Sequence, residues 1–116
     1  MGARVASKPR TRRAALPDAS AQLHPHADEA IAVLKALASR NRLLLLCELV
    51  PGERSVGELA QSLDLAQATV SQHLSLLRRD GVVSGRREAQ TIHYRISDPR
   101  AQALMATLFQ QFCVDG

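Results

Sequence analysis

Two short helices with almost nothing between them are written into residues 55–81, and few folds accept that arrangement. Ser55 is followed three residues later by Glu58, the spacing of a reciprocal helix N-cap. Val56, Leu59, Ala60 and Leu63 then share one helical face. Asp64-Leu65-Ala66 leaves room only for a tight turn before Gln67 opens a second helix, whose Val70, Leu74 and Leu77 form a stripe at i, i+4 and i+7. Asp80-Gly81 ends it, because glycine takes the left-handed position after a helix at little cost. Two short helices joined by a turn of three or four residues form a helix-turn-helix.

After Gly81 the apolar period changes from that of a helix to that of a strand. Val82-Val83 leads into a basic strand ending at Arg87, Glu88-Ala89-Gln90 forms a tip, and Thr91 to Ile96 alternates with Ile92, Tyr94 and Ile96 facing inward. This is a β-hairpin attached to the helix-turn-helix, a wing. Upstream, a helix is expected from about Asp28, with Ile31, Leu34, Leu37 and Ala38 on its core face. Ser39 can cap a second helix carrying Leu43, Leu46, Cys47 and Val50 on one face, stopped by Pro51-Gly52. Ser97-Asp98-Pro99 starts a last helix, with proline favoured in its first turn. Ala101, Leu104, Met105, Leu108, Phe109 and Phe112 form its broad apolar face. The expected fold is mainly α with a β-hairpin wing, a winged helix-turn-helix in the order α-α-α-α-β-β-α. With aromatics at only 3%, the core is aliphatic, which suits packed helices better than a sandwich of strands. Residues 1–18 lack periodicity and read as a disordered basic tail, leaving 19–116 as the folded domain.

The formal charge of +4 is unevenly spread. Five of the 15 basic side chains and no acid lie in residues 1–13, so the remainder carries 10 basic against 11 acidic groups. The basic character that bears on the fold is local: Arg78, Arg79, Arg86, Arg87 and Arg95 stand against Asp80 and Glu88. If Val70, Leu74 and Leu77 face the core, the opposite side of that helix offers Gln67, Ala68, Thr69, Ser71, Gln72, Ser75 and Arg79. Such a face is small and polar, able to enter a major groove, where glutamine can pair with adenine and Ser or Thr can meet a thymine methyl or a phosphate. An ordinary solvated helix face is the bland alternative, although that would more often carry Glu and Lys. His73 has two readings, a phosphate contact or a satisfied histidine at the edge of the core. Arg86 and Arg87 are expected at a minor groove or its phosphates, against the alternative of a soluble edge strand. No apolar run approaches the roughly 18 to 20 residues of a membrane span, and no apolar stretch follows the N-terminal cations, so a cytosolic protein is expected.

These residues together resemble the ArsR/SmtB family of winged-helix repressors. The likeness is carried by Leu34-Lys35-Ala36-Leu37-Ala38, Arg40-Asn41-Arg42-Leu43, Ser55-Val56-Gly57-Glu58-Leu59 and Thr69-Val70-Ser71-Gln72-His73-Leu74. It continues through Leu77-Arg78-Arg79-Asp80-Gly81-Val82-Val83, Arg86-Arg87 and His93-Tyr94-Arg95, covering about residues 28 to 113. The resemblance implies a homodimer built on the first and last helices, binding to double-stranded operator DNA, and release when an inducer binds. Cys47 and Cys113, in the second and last helices, also look like the paired thiols of the family's sulfide- and redox-sensing, BigR/SqrR-like branch. That likeness implies oxidation of the pair to a disulfide, or bridging by sulfur from reactive sulfur species such as persulfides. Read from the residues alone, the two cysteines lie on apolar faces, as inert core thiols do, and a standing structural disulfide is not expected in the cytosol.

Metal sensing, the nearest alternative within the family, needs three or four converging thiolate, imidazole or carboxylate ligands. The Val56–Leu59 helix holds no Cys pair, and Asp98 is followed along the last helix by Arg100, Gln102, Gln110 and Gln111 with no His. His24, His26 and Cys113 are the leftover donors; neither a metal nor another cofactor is expected. An enzyme using Cys47 with His73 or His93 lacks a nucleophile turn, paired carboxylates and a Gly-rich loop. A winged helix that serves only protein partners would not need the polar Gln67 face and basic wing.

Overall fold

The computed structural model describes residues 18–113, so the basic tail expected over residues 1–18 lies outside the described residues except for Asp18. The described residues separate after Ile31 into two units. The first holds α1 (Ala19–Leu23), a 3-10 turn (His24–His26) and the start of α2 (Ala27–Leu37). No residue of α1 is buried, and within the 3-10 turn His26 Nδ1 lies 3.1 Å from Glu29 Oε1.

The second unit holds the rest of α2, α3 (Arg40–Leu49), β1 (Arg54–Ser55), α4 (Val56–Leu63), α5 (Gln67–Arg79), β2 (Val83–Glu88), β3 (Thr91–Ile96) and α6 (Pro99–Phe112). Helix boundaries follow the capping chemistry. Ser39 caps α3, accepting from the Arg42 amide at 3.4 Å, while the Arg42 guanidinium turns back and donates to the carbonyls of Ala36 and Lys35 at 2.9 and 3.0 Å. One arginine thus serves two carbonyls in the last turn of α2, of which that of Lys35 also accepts from the Ala38 amide at 3.2 Å. Ser55 and Glu58 form the reciprocal box: Ser55 Oγ accepts from the Glu58 amide at 3.1 Å, and Glu58 Oε1 accepts from the Ser55 amide at 2.9 Å. Asp98 caps α6 by accepting from the Arg100 amide at 2.8 Å.

The turn of the helix-turn-helix is a Schellman closure. Leu65 donates to the Ala60 carbonyl at 3.0 Å and Asp64 to that of Gln61 at 3.3 Å, with Asp64 left-handed at φ 56°. The same motif ends α5: Val82 donates to Leu77 at 2.9 Å across Gly81, which sits at φ 79°. The Val82 carbonyl then accepts from the Ser97 amide at 2.9 Å, joining the base of the wing to the start of α6.

The core is one aliphatic cluster. Leu45, Leu46 and Leu49 of α3, Leu59 of α4, Val70, Leu74 and Leu77 of α5, Val82, Val83, Tyr94, Ala101 and Met105 are all buried. The α5 stripe lies as expected; the two upstream helices are rotated from expectation. In α2 the buried residues are Val33, Ala36 and Leu37, whereas Ile31 and Leu34 are 48% and 49% exposed and Ala38 is exposed too. In α3, Leu46 is buried as expected, but Leu45 and Leu49 share the core with it, while Leu43, Cys47 and Val50 are only half-buried. The last turn of α6 also points outward, with Phe112 81% exposed.

The sheet has the order β1-β3-β2, all antiparallel, so the hairpin gains a third strand at the HTH entrance that the sequence reading lacked. Arg54 pairs with Tyr94 and Ser55 with His93. Gly85 allows the tight hairpin: a Cβ there would meet Ile92 Cγ2 at 3.0 Å and Tyr94 Cε1 at 3.3 Å.

Two caps give stability changes of opposite sign. Ser55→Ala removes the α4 cap and is expected to cost about 1 kcal/mol. Asp64→Gly relieves the left-handed backbone and is expected to add up to about 1 kcal/mol. Thermal unfolding reads both; a domain of this size shifts by roughly 4 to 8 °C per kcal/mol.

Candidate nucleic-acid interface and thiol pocket

Burial of Val70, Leu74 and Leu77 fixes the outward face of α5. That face shows Gln67, Ala68, Ser71, Gln72, Ser75, Arg78 and Arg79, all exposed. Gln67, Ser71, Ser75 and Arg78 follow one another at helical spacing, giving a row of short polar groups that ends in a cation. Thr69 is half-buried beside this row rather than part of it. His73 is half-buried, and its Nδ1 is buried without a hydrogen-bond partner among the described residues. Arg79 lies 3.3 Å from Asp80, an exposed pair of small energetic weight, whereas Arg78 makes no ion pair among the described residues. Arg78 belongs to this surface as much as Arg79; its place in the basic stretch was the only sequence signal for it.

A cleft of about 390 Å³ separates the start of α5 from the wing. Ser55, Val56 and Gly57 of the α4 entrance, Gln67 and Ser71 of α5, and Gln90, Thr91 and Ile92 of the wing line it. No carboxylate lines the cleft, so it presents nothing that would repel a phosphate chain. Gln90 and Thr91 sit at the hairpin tip, where alternation gives no hint of a lining role.

The wing arginines differ in surroundings. Arg86 is tied to Glu53: its Nη2 donates to Oε1 at 2.8 Å and its Nε lies 3.2 Å from both carboxylate oxygens. The hydrogen bonds from Arg86 hold the Glu53 carboxyl below the usual carboxylate range. Arg87 is exposed and has no ion pair among the described residues. Elsewhere Glu48 braces the frame, accepting from Arg54 Nη1 at 3.0 Å and from Ser62 Oγ at 2.9 Å.

Away from this surface, α3 and α6 border an open apolar pocket of about 310 Å³. Leu43 and Cys47 line it from α3, and Met105, Leu108, Phe109 and Phe112 from α6, with Cys113 just past the helix end. Both sulfurs are free thiols; Cys47 is half-buried and Cys113 exposed. Burial pushes the Cys47 thiol up from its ordinary value of 9.0, and the neighbouring Cys113 and Glu48 add to the rise. Among the described residues no three His, Cys, Asp or Glu side chains converge as a metal site, and no helix is long and apolar enough to cross a membrane.

Known proteins resemble this chain in sequence and in fold. Residues 39–84 match the profile of the bacterial regulatory protein, arsR family. The transcriptional activator HlyU of Vibrio cholerae is 42% identical over 79% of this chain and 85% of its own. A structure of reduced HlyU superposes with a TM-score of 0.76, covering 79% of this chain and 97% of that one. The biofilm growth-associated repressor of Agrobacterium fabrum is 45% identical over 78% of each chain. The transcriptional repressor BigR from Xylella fastidiosa superposes with a TM-score of 0.78 at 40% identity, over 83% of this chain and 98% of its own. The polar α5, the wing beside it and these likenesses together place the chain in the arsR family of bacterial regulatory proteins, as a DNA-binding transcriptional regulator with a winged helix-turn-helix fold.

Proposed function

We propose that this regulator is a homodimeric repressor that binds double-stranded operator DNA and releases it when Cys47 and Cys113 become joined by oxidation or by reactive sulfur. The carrying observation is that both thiols line one open apolar pocket between α3 and α6. Repression follows the BigR and biofilm-associated relatives, and one solved relative, HlyU of Vibrio cholerae, is described in a reduced form. Exposed Leu34, Phe109 and Phe112 supply apolar surface for a second copy. Residues 19–116 are the DNA-binding and dimerising domain on this reading. Gln67, Ser71 and Gln72 meet base edges, while Thr69, His73, Arg79 and the basic wing position the duplex.

The chemistry has two steps. Exposed Cys113, as thiolate, attacks the terminal sulfur of a persulfide, becomes a persulfide itself and releases the carrier thiol. The Cys47 thiolate then attacks the inner sulfur, forming the Cys47–Cys113 disulfide and expelling hydrosulfide. Two thiols are oxidised by two electrons, and the sulfane sulfur is reduced to sulfide. Longer donors leave extra sulfur in the bridge. A dimer reads half-sites about 34 Å apart, so a small change in its shape weakens both contacts together. The metal-responsive alternative has less support, since the described residues do not assemble its donor set.

Duplexes selected from a random pool by the reduced protein provide the test. Cysteine persulfide is expected to weaken binding at least about tenfold, near 1.4 kcal/mol, with dithiothreitol restoring it and Cys47→Ser blind to it. Mass spectrometry should then find the two cysteines in one cross-linked species, two hydrogens lighter, or heavier by whole sulfur atoms. Unchanged affinity of the wild type, or a full response in Cys47→Ser, sinks the reading. The raised Cys47 pKa also sets an order of reactivity: iodoacetamide at neutral pH should modify exposed Cys113 first, and Cys47 should catch up only as pH rises past the ordinary thiol value of 9.0.

A further inference from the structure

We infer that the two adjacent wing arginines have separate tasks: Arg87 neutralises a DNA phosphate, and Arg86, on the opposite face of the wing, is a positioning residue tied to Glu53. This rests on the reading that the wing lies against the duplex, and it goes beyond it by dividing a pair that the sequence presents as one feature.

The strand register carries the division. Arg86 pairs with His93 and Arg87 with Ile92, so the two side chains leave opposite faces of the sheet. The face of Arg87 is also that of Gly85, where a Cβ would meet Ile92 and Tyr94 at 3.0 and 3.3 Å. Ile92 lines the cleft together with Gln67 and Ser71 of α5. Arg87 therefore stands on the same side of the wing as the polar row of α5. Arg86 stands on the reverse side, with His93 and Glu53.

Charge pairing points the same way. The Arg86 guanidinium is gripped by both oxygens of Glu53, at 2.8 to 3.2 Å, and its Nη1 lies 3.5 Å from Glu88. Two carboxylates flank that guanidinium, and with Arg95 also acting on Glu53 the corner carries no surplus positive charge to draw a phosphate. To reach DNA, Arg86 would first have to break a two-pronged, charge-assisted pair. That pair has a structural use, since it joins the wing to the segment just ahead of β1, 33 residues away in sequence. Arg87 has no ion pair among the described residues and is free to displace a counterion. Each phosphate neutralised on a duplex contributes about −0.9 to the slope of log K against log salt.

The test is that slope, measured for the full chain by fluorescence anisotropy on a labelled duplex of mixed sequence about three turns long, across a sodium chloride series. Arg87→Ala is expected to make the slope shallower by about 0.9 per protomer. Arg86→Met should leave the slope unchanged while lowering the thermal midpoint. Glu53→Gln leaves both arginines in place and serves if Arg86→Met does not fold: the slope again stays as in the wild type, with a lower midpoint. A shallower slope in Arg86→Met, or a steeper one in Glu53→Gln as Arg86 is released to phosphate, overturns the assignment while the wing remains at the DNA. If neither arginine moves the slope, the wing does not meet the duplex, and the underlying reading falls with the assignment.

Discussion

Burial of the Val70, Leu74 and Leu77 stripe is the constraint on which the rest of this molecule depends. All three side chains are wholly buried, against the leucines of α3 and α4. Full burial of such a side chain is worth about 1.5 to 3 kcal/mol, so rotating α5 by even a third of a turn would cost more than any surface contact could return. The stripe leaves α5 a single permitted orientation. The opposite face is what it is because the core has first claim on the helix. Its short polar side chains are then displayed without being ordered by one another, which suits a surface that must match an outside partner.

The wing is held to that frame by different means. Backbone pairing with β1 and β2 makes β3 the centre of the sheet, and α3, α4 and α6 all pack against it. Tyr94 and Val83 carry the apolar contact inward, while Gly85 lets the strand approach Ile92 and Tyr94 closely. On the outer face the Arg86–Glu53 pair ties hairpin to entry segment. It is partly exposed and screened, so its value lies in direction more than in energy. An apolar inner face and a charged outer strut together set the angle at which the cleft beside α5 stays open.

Much of this was legible in the sequence, for identifiable reasons. The capping box at Ser55, the closure at Gly81 and the 3.6-to-2 change of period are local rules, and locality is what a sequence shows well. The face of α2 was only partly legible: Leu37 lies inward as its spacing suggests, but Ile31 and Leu34 make as convincing a stripe as Val33 and Ala36, and only tertiary packing chooses between them. The same holds for α3, where four consecutive leucines from Leu43 to Leu46 give every face an apolar claim. Strand β1 is two residues long and has no period at all. Nor does alternation say that Arg86 meets a carboxylate far along the chain; it says only that Arg86 and Arg87 part company.

The thiol pocket and the reading surface share no side chain, yet they share supports. Cys47 is in α3, whose buried face packs on α5 and whose side packs on β3, and Cys113 follows α6, which rests on the same β3. A bond between the two sulfurs would draw the end of α6 onto the half-buried wall of α3. That wall holds Leu43 and Cys47, residues not locked in the core. The wholly buried leucines on the other side of α3 resist any internal rearrangement, since a close-packed core transmits strain better than it absorbs it. The displacement is therefore passed outward, to the exposed last turn of α6 and its Phe112, where a second copy would sit. Oxidation would then leave the reading head of each protomer intact and change only the spacing of two such heads in the proposed dimer.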